Sequence, residues 1–211
     1  MDYLSVREKQ GADIIHQICG DIDVQVVLDP TYLMTKDQWE SVLPSKRIID
    51  KRYILCYFFG NDAESKQCVK RYAKARGLQL VTILSSESYT HIDSSFADVA
   101  ISDATPEDFL NLIRGAEVVL TDSFHGLAFS VINNKQFYIF YRKRDDALQS
   151  RNSRIDNILK TWEIEDRLIR KNDIDWNIQD EVQIDYSKVN RILVEKREKS
   201  LSFLKTALSF K

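Results

Sequence analysis

The residues best placed to do chemistry are Thr121-Asp122-Ser123-Phe124-His125-Gly126. A carboxylate, a hydroxyl and an imidazole fall within four positions, and histidine is the side chain whose ordinary titration range spans neutral pH. The run Ala116-Glu117-Val118-Val119-Leu120 before them is short, apolar and β-branched, as in a buried strand. The run Leu127 to Ile132 after them ends at Asn133-Asn134 and reads as a short buried helix. A polar corner between a strand and a helix is half of a parallel α/β unit, and ligands in such sheets bind beyond the carboxyl ends of the strands. Unpaired N–H groups at the helix start favour an anion. The stretch therefore reads as a small-anion site with a proton donor beside it. The plainer alternative gives Asp122 or Ser123 a capping role only and makes His125 a core histidine. A cap needs no imidazole two residues later, and the corner position favours the functional reading.

The elements that must hold this corner follow from the rest of the chain. Continuous apolar runs at Tyr53–Phe59, Leu78–Leu84, Glu117–Leu120 and Gln136–Tyr141 predict a mainly parallel sheet with helices on both faces, because a sheet wetted on one face would alternate. Between them, Glu64 to Arg76 reads as a helix closed by Gly77, and Thr105-Pro106 opens another. Ser85 to Asp103 has no clear period and is expected to be a long loop. Near the N-terminus, Tyr3 to Val6 and Val24 to Leu28 read as strands around a helix from Arg7 to Ile18, with Ile14, Ile15 and Ile18 on one face. Thr35 is expected to cap a short helix containing Trp39. Arg142 to Arg154 carries five basic residues, including Arg151 and Arg154. Individually these suit a solvated loop; together, beyond a strand end, they could clamp an anion through planar guanidinium forks. Ile155 to Trp162 and Tyr186 to Phe210 complete the helices.

Composition narrows the classes. With 211 residues and 44% hydrophobic content, the chain can bury a core. A net charge of -2 excludes a generally basic nucleic-acid binder. No stretch is long and apolar enough for a membrane helix, and no secretory signal is evident at the start. Cys19, Cys56 and Cys68 lack metal-site spacing, and their number and apolar settings suggest reduced thiols. His16, His91 and His125 are too scattered to suggest a metal, so no metal and no cofactor is expected.

The corner motif, with Phe129-Ser130 after it and Asn134-Lys135-Gln136-Phe137 beyond, resembles the signature region of bacterial polysaccharide pyruvyl transferases. So do Ser5-Val6-Arg7-Glu8, Val27-Leu28-Asp29-Pro30-Thr31, Ser153-Arg154-Ile155 and Glu165-Asp166-Arg167-Leu168-Ile169. The resemblance implies a Rossmann-like domain forming one half of a GT-B-like two-domain enzyme. It implies transfer of the enolpyruvyl group of phosphoenolpyruvate to a glycan as a ketal, with His125 as general acid. Asp122, Ser123, Phe124, Gly126, Arg151 and Arg154 would bind substrate. Some members carry an arginine where Ser123 stands, so Arg151 or Arg154 would have to replace that contact.

On this reading residues 1–45 are an N-terminal segment, a remnant of a first domain. Residues 46–180 are the Rossmann-like C-terminal domain, and residues 181–211 a C-terminal helix. Residues 1 to about 30 and the last helix should pack less completely and favour a homodimer. The expected partners are phosphoenolpyruvate and a glycan acceptor, lipid-linked at the membrane surface, with no nucleic acid. The expected location is cytoplasmic, peripheral to the inner membrane face, and a fragment of this size is expected to be incomplete for activity. Two alternatives stay open: a GT-B-like glycosyltransferase domain using a nucleotide sugar, and a non-catalytic domain that binds glycan or partner subunits.

Overall fold

A computed structural model describes residues 3–60, 62–84, 96–142, 152–170 and 182–209. Its centre is a six-stranded parallel sheet. The strands are β3 (Tyr53–Tyr57), β4 (Gln79–Ile83), β5 (Val99–Ile101), β6 (Val118–Thr121), β7 (Gln136–Phe140) and β8 (Leu168–Ile169), in the order β5-β4-β3-β6-β7-β8. The chain winds outward from β3 to one edge, then returns to β6 and winds to the other. That is the order of a Rossmann-like sheet, with its switch point between β3 and β6.

The continuous apolar strands have a direct cause in this arrangement. Tyr53 and Leu55 of β3 point into one core, while Ile54 and Cys56 point into another on the opposite face. The first core is closed by α4 (Pro106–Gly115), α5 (Phe124–Ile132), α6 (Asn152–Trp162) and α7 (Tyr186–Ser209). The second is closed by α3 (Ala63–Arg76), through Cys68, Val69, Tyr72 and Ala73. Helix ends follow their local chemistry. Asp62 caps α3 and Gly77 ends it in the left-handed region at φ 61°. Thr105 and Asp108 form a capping box at the start of α4, with Pro106 in the first turn.

The N-terminal segment carries a second, two-stranded sheet and adds Leu28 and Tyr32 to the first core. β1 (Ser5–Val6) and β2 (Gln25–Val26) pair in parallel, joined by α1 (Lys9–Cys19). Two strands alone are marginal. This pair leans on α7, where the Leu28 N–H donates to Ser200 Oγ at 3.0 Å and the rings of Tyr3 and Phe203 meet edge to face. A 3-10 turn, Pro30–Leu33, leads to α2 (Lys36–Val42), which Thr35 caps.

The structure departs from the sequence reading in three places. β5 lies within the stretch expected to be loop. β8 forms where no strand was expected. α6 begins at Asn152, so Arg154 stands on a helix and not in a solvated loop. The loose packing expected of the first thirty residues shows on α1, where Ala12 is the buried residue and Ile14 and Ile18 are exposed. On α7, Val189 and Leu193 are buried but Val194, Leu204 and Leu208 are exposed. Among the described residues no helix is long and apolar enough to cross a membrane.

Candidate functional site

The corner is built from the end of β6. Thr121 is fully buried, and its hydroxyl donates to the Tyr57 carbonyl at 2.6 Å while accepting the Ser123 N–H at 3.0 Å. Ser123 is the N-cap of α5 and accepts the Gly126 N–H at 3.4 Å. Gly126 is glycine for lack of room: a Cβ there would lie 2.5 Å from Thr121 Oγ1. The helix start is thereby pulled down onto the strand end. Leu127, Ala128, Val131 and Ile132 point into the core, while the half-buried Phe124 and the exposed His125 are left at the open side. Ser123 caps the helix, and His125 faces outward.

Asp122 has a different task. Its side chain is buried, and its two oxygens accept the N–H groups of Phe59 (2.8 Å) and Gly60 (2.7 Å), just beyond β3. It therefore ties together the two strands that flank the switch point. Burial raises its pKa above the usual 3.8, although both N–H groups and the nearby Arg142 favour the carboxylate. Arg142 itself turns toward this clasp, with Nε 3.6 Å from Asp122 Oδ2 and its guanidinium over the Phe59 ring.

Phe124 opens onto a cleft of about 300 Å³ lined by Arg7 and Glu8 just after β1 and by residues of β2 and the turn after it, α5, α6 and α7. Two arginines converge on its ring. The guanidinium of Arg154 lies 5.4 Å from the ring centroid and that of Arg7 lies 5.6 Å from it. Such contacts hold a cation without consuming its hydrogen-bond donors. Glu8 links them: Arg154 Nε donates to Glu8 Oε1 at 2.5 Å, and Arg7 Nε lies 3.5 Å from the same oxygen. Arg7 Nη1 also donates to Asp29 Oδ2 at 2.7 Å. Burial would push the Asp29 carboxyl up, but the Thr31 N–H and hydroxyl and the Arg7 guanidinium outweigh it and hold the pKa below 3.8. Among the described residues, Nη1 and Nη2 of Arg154 make no hydrogen bond, leaving a donor fork at the cleft. The His125 ring packs edge to face on Phe124, with centroids 5.4 Å apart.

The structure thus gathers Phe124, His125 and Arg154 at one edge, with Ser123 and Gly126 shaping it from beneath. Asp122 is turned away into the β3–β6 clasp. Arg151, Lys143 and Arg144 lie outside the described residues. Sequence reasoning gave no role to Arg7, Glu8 and Asp29, although all three stood in stretches noted for their resemblance. Their signal is faint: an Arg-Glu pair directly after a two-residue strand, and an Asp before a Pro. Lys196 and Ser200 of α7 carry no local signal. Among the described residues no cluster of His, Cys, Asp and Glu could hold a metal ion.

Comparison with known structures agrees with the topology. A UDP-GlcNAc 2-epimerase from Methanocaldococcus jannaschii matches over 92% of this chain and 61% of its own, at 13% identity and a TM-score of 0.51. A Listeria monocytogenes structure assigned as a UDP-N-acetylglucosamine 2-epimerase matches over 100% of this chain and 60% of its own, at 13% identity and a TM-score of 0.54. At such identity the likeness is one of fold, and the chain spans about three fifths of the length of these structures. No curated protein matches. The family model for polysaccharide pyruvyl transferases matches residues 2–144, from the β1 strand through the His125 corner to the end of β7, and on that match the chain belongs to the polysaccharide pyruvyl transferase family.

Proposed function

We propose that this chain carries the donor-binding wall of an enzyme that moves the enolpyruvyl group of phosphoenolpyruvate onto a glycan as a ketal. The observation that carries the reading is the convergence of Arg7 and Arg154 on Phe124, next to the exposed His125. Phosphoenolpyruvate has a carboxylate and a phosphate. The free fork of Arg154, the remaining donors of Arg7 and the start of α5 suit those two groups.

The chemistry follows from where the imidazolium would lie. His125 gives its proton to the methylene carbon, and the enol carbon becomes oxocarbenium-like. A sugar hydroxyl attacks that carbon and loses its proton, forming a tetrahedral phosphoketal. Phosphate then leaves with the C–O bonding pair, and a second hydroxyl of the same sugar adds and loses its proton, closing the ketal. One proton returns to His125 and the other leaves with phosphate or water. The arginines hold the phosphate as charge builds on it. Asp122 and Gly126 act beneath the site, by fixing the strand end and the helix start. The glycan acceptor at a membrane surface belongs to the same proposal.

The test is phosphate release from phosphoenolpyruvate in the presence of candidate acceptor glycans, in the intact enzyme. Release that depends on acceptor and falls ~10²–10⁴-fold in His125→Ala, with donor affinity nearly kept, is the expected result. Near-normal turnover in His125→Ala would remove the acid role. A strong preference for nucleotide diphosphates over phosphoenolpyruvate would replace the reading with that of a glycosyltransferase.

A further inference from the structure

The cleft is larger than a three-carbon phosphate ester needs; about 300 Å³ is the lower end of the range that takes a drug-sized ligand. Arg7, Arg154 and Phe124 occupy one part of its wall. The rest is walled by Gln25 to Leu28 and by two helical faces. α6 contributes Asn157 and Thr161, and α7 contributes Lys196, Lys199 and Ser200, each set at the three- and four-residue spacing of a single face.

The partners of these groups single out two of them. Arg7 is offset by Asp29 and Glu8, Arg154 by Glu8, and Lys199 by Glu195 on its own helix at 2.6 Å. Ser200 is committed to the Leu28 N–H and the Lys196 carbonyl, and the Thr161 hydroxyl to the Asn157 carbonyl. Lys196 is half-buried and makes no ion pair among the described residues. The Asn157 amide is half-buried and makes no side-chain hydrogen bond among them. Lys196, whose charge acts among the described residues only on its helix neighbour Glu195, and an Asn157 amide free of side-chain hydrogen bonds among them favour a ligand that supplies a negative charge and hydroxyl groups.

We propose that the α6–α7 part of this cleft is the acceptor subsite, and that the acceptor is an anionic sugar. Its phosphate ester or carboxylate sits on Lys196, with Lys199 at the rim, and a hydroxyl meets the Asn157 amide. The acceptor label rests on the reading of Arg7, Phe124 and Arg154 as the donor end; the subsite itself does not.

The experiment is a calorimetric titration of the 211-residue chain at low salt with glucose 1-phosphate, glucuronate, glucose and, separately, phosphoenolpyruvate. An anionic sugar should bind more tightly than glucose, and the better of the two anions identifies the group. Lys196→Gln should weaken that sugar roughly 10- to 100-fold, the usual worth of a charge-assisted hydrogen bond, and leave phosphoenolpyruvate unchanged. Lys196→Arg should restore most of the affinity, which separates lost charge from lost folding. Arg154→Ala should do the reverse, weakening phosphoenolpyruvate more than the sugar. If neither anionic sugar outbinds glucose, or if Lys196→Gln has no effect, the subsite is overturned. If phosphoenolpyruvate fails to bind while the sugar still depends on Lys196, the donor assignment falls and the anionic-sugar subsite stands.

Discussion

Replacing Gly126 with alanine should destabilise the protein, although the same change in an open helix interior would stabilise it by about 1 kcal/mol. The reason is local crowding. The new Cβ would sit 2.5 Å from Thr121 Oγ1 and 3.1 Å from both Thr121 Cβ and Cγ2. Thr121 cannot turn aside freely, because it is β-branched, fully buried and bonded to Tyr57 and Ser123. Overpacking typically costs about 1–3 kcal/mol, and each displaced hydrogen bond about 0.5–1.5 kcal/mol. Against a gain of about 1 kcal/mol from helix propensity, a net loss of roughly 1–4 kcal/mol is expected. Urea unfolding measures it. A double-mutant cycle with Thr121→Ala should show favourable coupling, since removing the hydroxyl and methyl opens the space the alanine needs. Amide spectra should show the disturbance at Ser123 and His125. A Gly126→Ala protein as stable as the parent, or additive with Thr121→Ala, would refute the argument that crowding seats α5 on the strand end.

Three other outcomes are expected. Arg154→Ala should weaken phosphoenolpyruvate binding about 10- to 100-fold by the worth of its charge-assisted bonds, with a smaller effect on turnover at saturation; calorimetry and steady-state kinetics separate the two. The pKa of Asp29 is held below 3.8, so its contribution to stability is complete above that value and is lost as pH falls through its lower folded pKa; urea titrations from pH 6 to pH 2 should show this loss, and Asp29→Asn should remove that part of the slope. Asp122→Ala should leave the Phe59 and Gly60 N–H groups unpaired, cost about 1–3 kcal/mol, and speed hydrogen exchange at those two amides more than at β7.

The central sheet could be read from the chain because its strands are buried on both faces and so run apolar without a break; β3, β4, β6 and β7 each carry that pattern. β5 and β8 escaped because three residues and two residues show no period, and each gains its strand character from the neighbour it pairs with. On α1 the periodicity of Ile14 and Ile18 was real, but amphipathic spacing states only that a face exists, not that something in the chain covers it. At the site, the corner was legible because its residues are consecutive. Arg7 and Glu8 were not, since their meaning comes from Phe124 and Arg154, more than a hundred positions away, and Asp29 takes its place only through Arg7. A carboxylate between two guanidiniums is a property of the folded chain, and neither half of the sequence carries it alone.

The contacts that shape the cleft are among the longest loops in the molecule. Glu8 meets Arg154 across 146 positions, Leu28 meets Ser200 across 172, and Arg197 Nε reaches the Tyr32 carbonyl across 165. Closing such loops costs chain entropy before any contact returns it, so these pairings belong to the late, slow part of folding. The strand pairing of β3, β4, β6 and β7 involves no residue of the first thirty or of α7, whereas the cleft needs both. Ligand affinity then becomes a gauge of whether the two chain ends have met. A ligand of the cleft should stabilise the docked ends by mass action, and a change that loosens α7 should lower affinity without touching any residue that contacts the ligand.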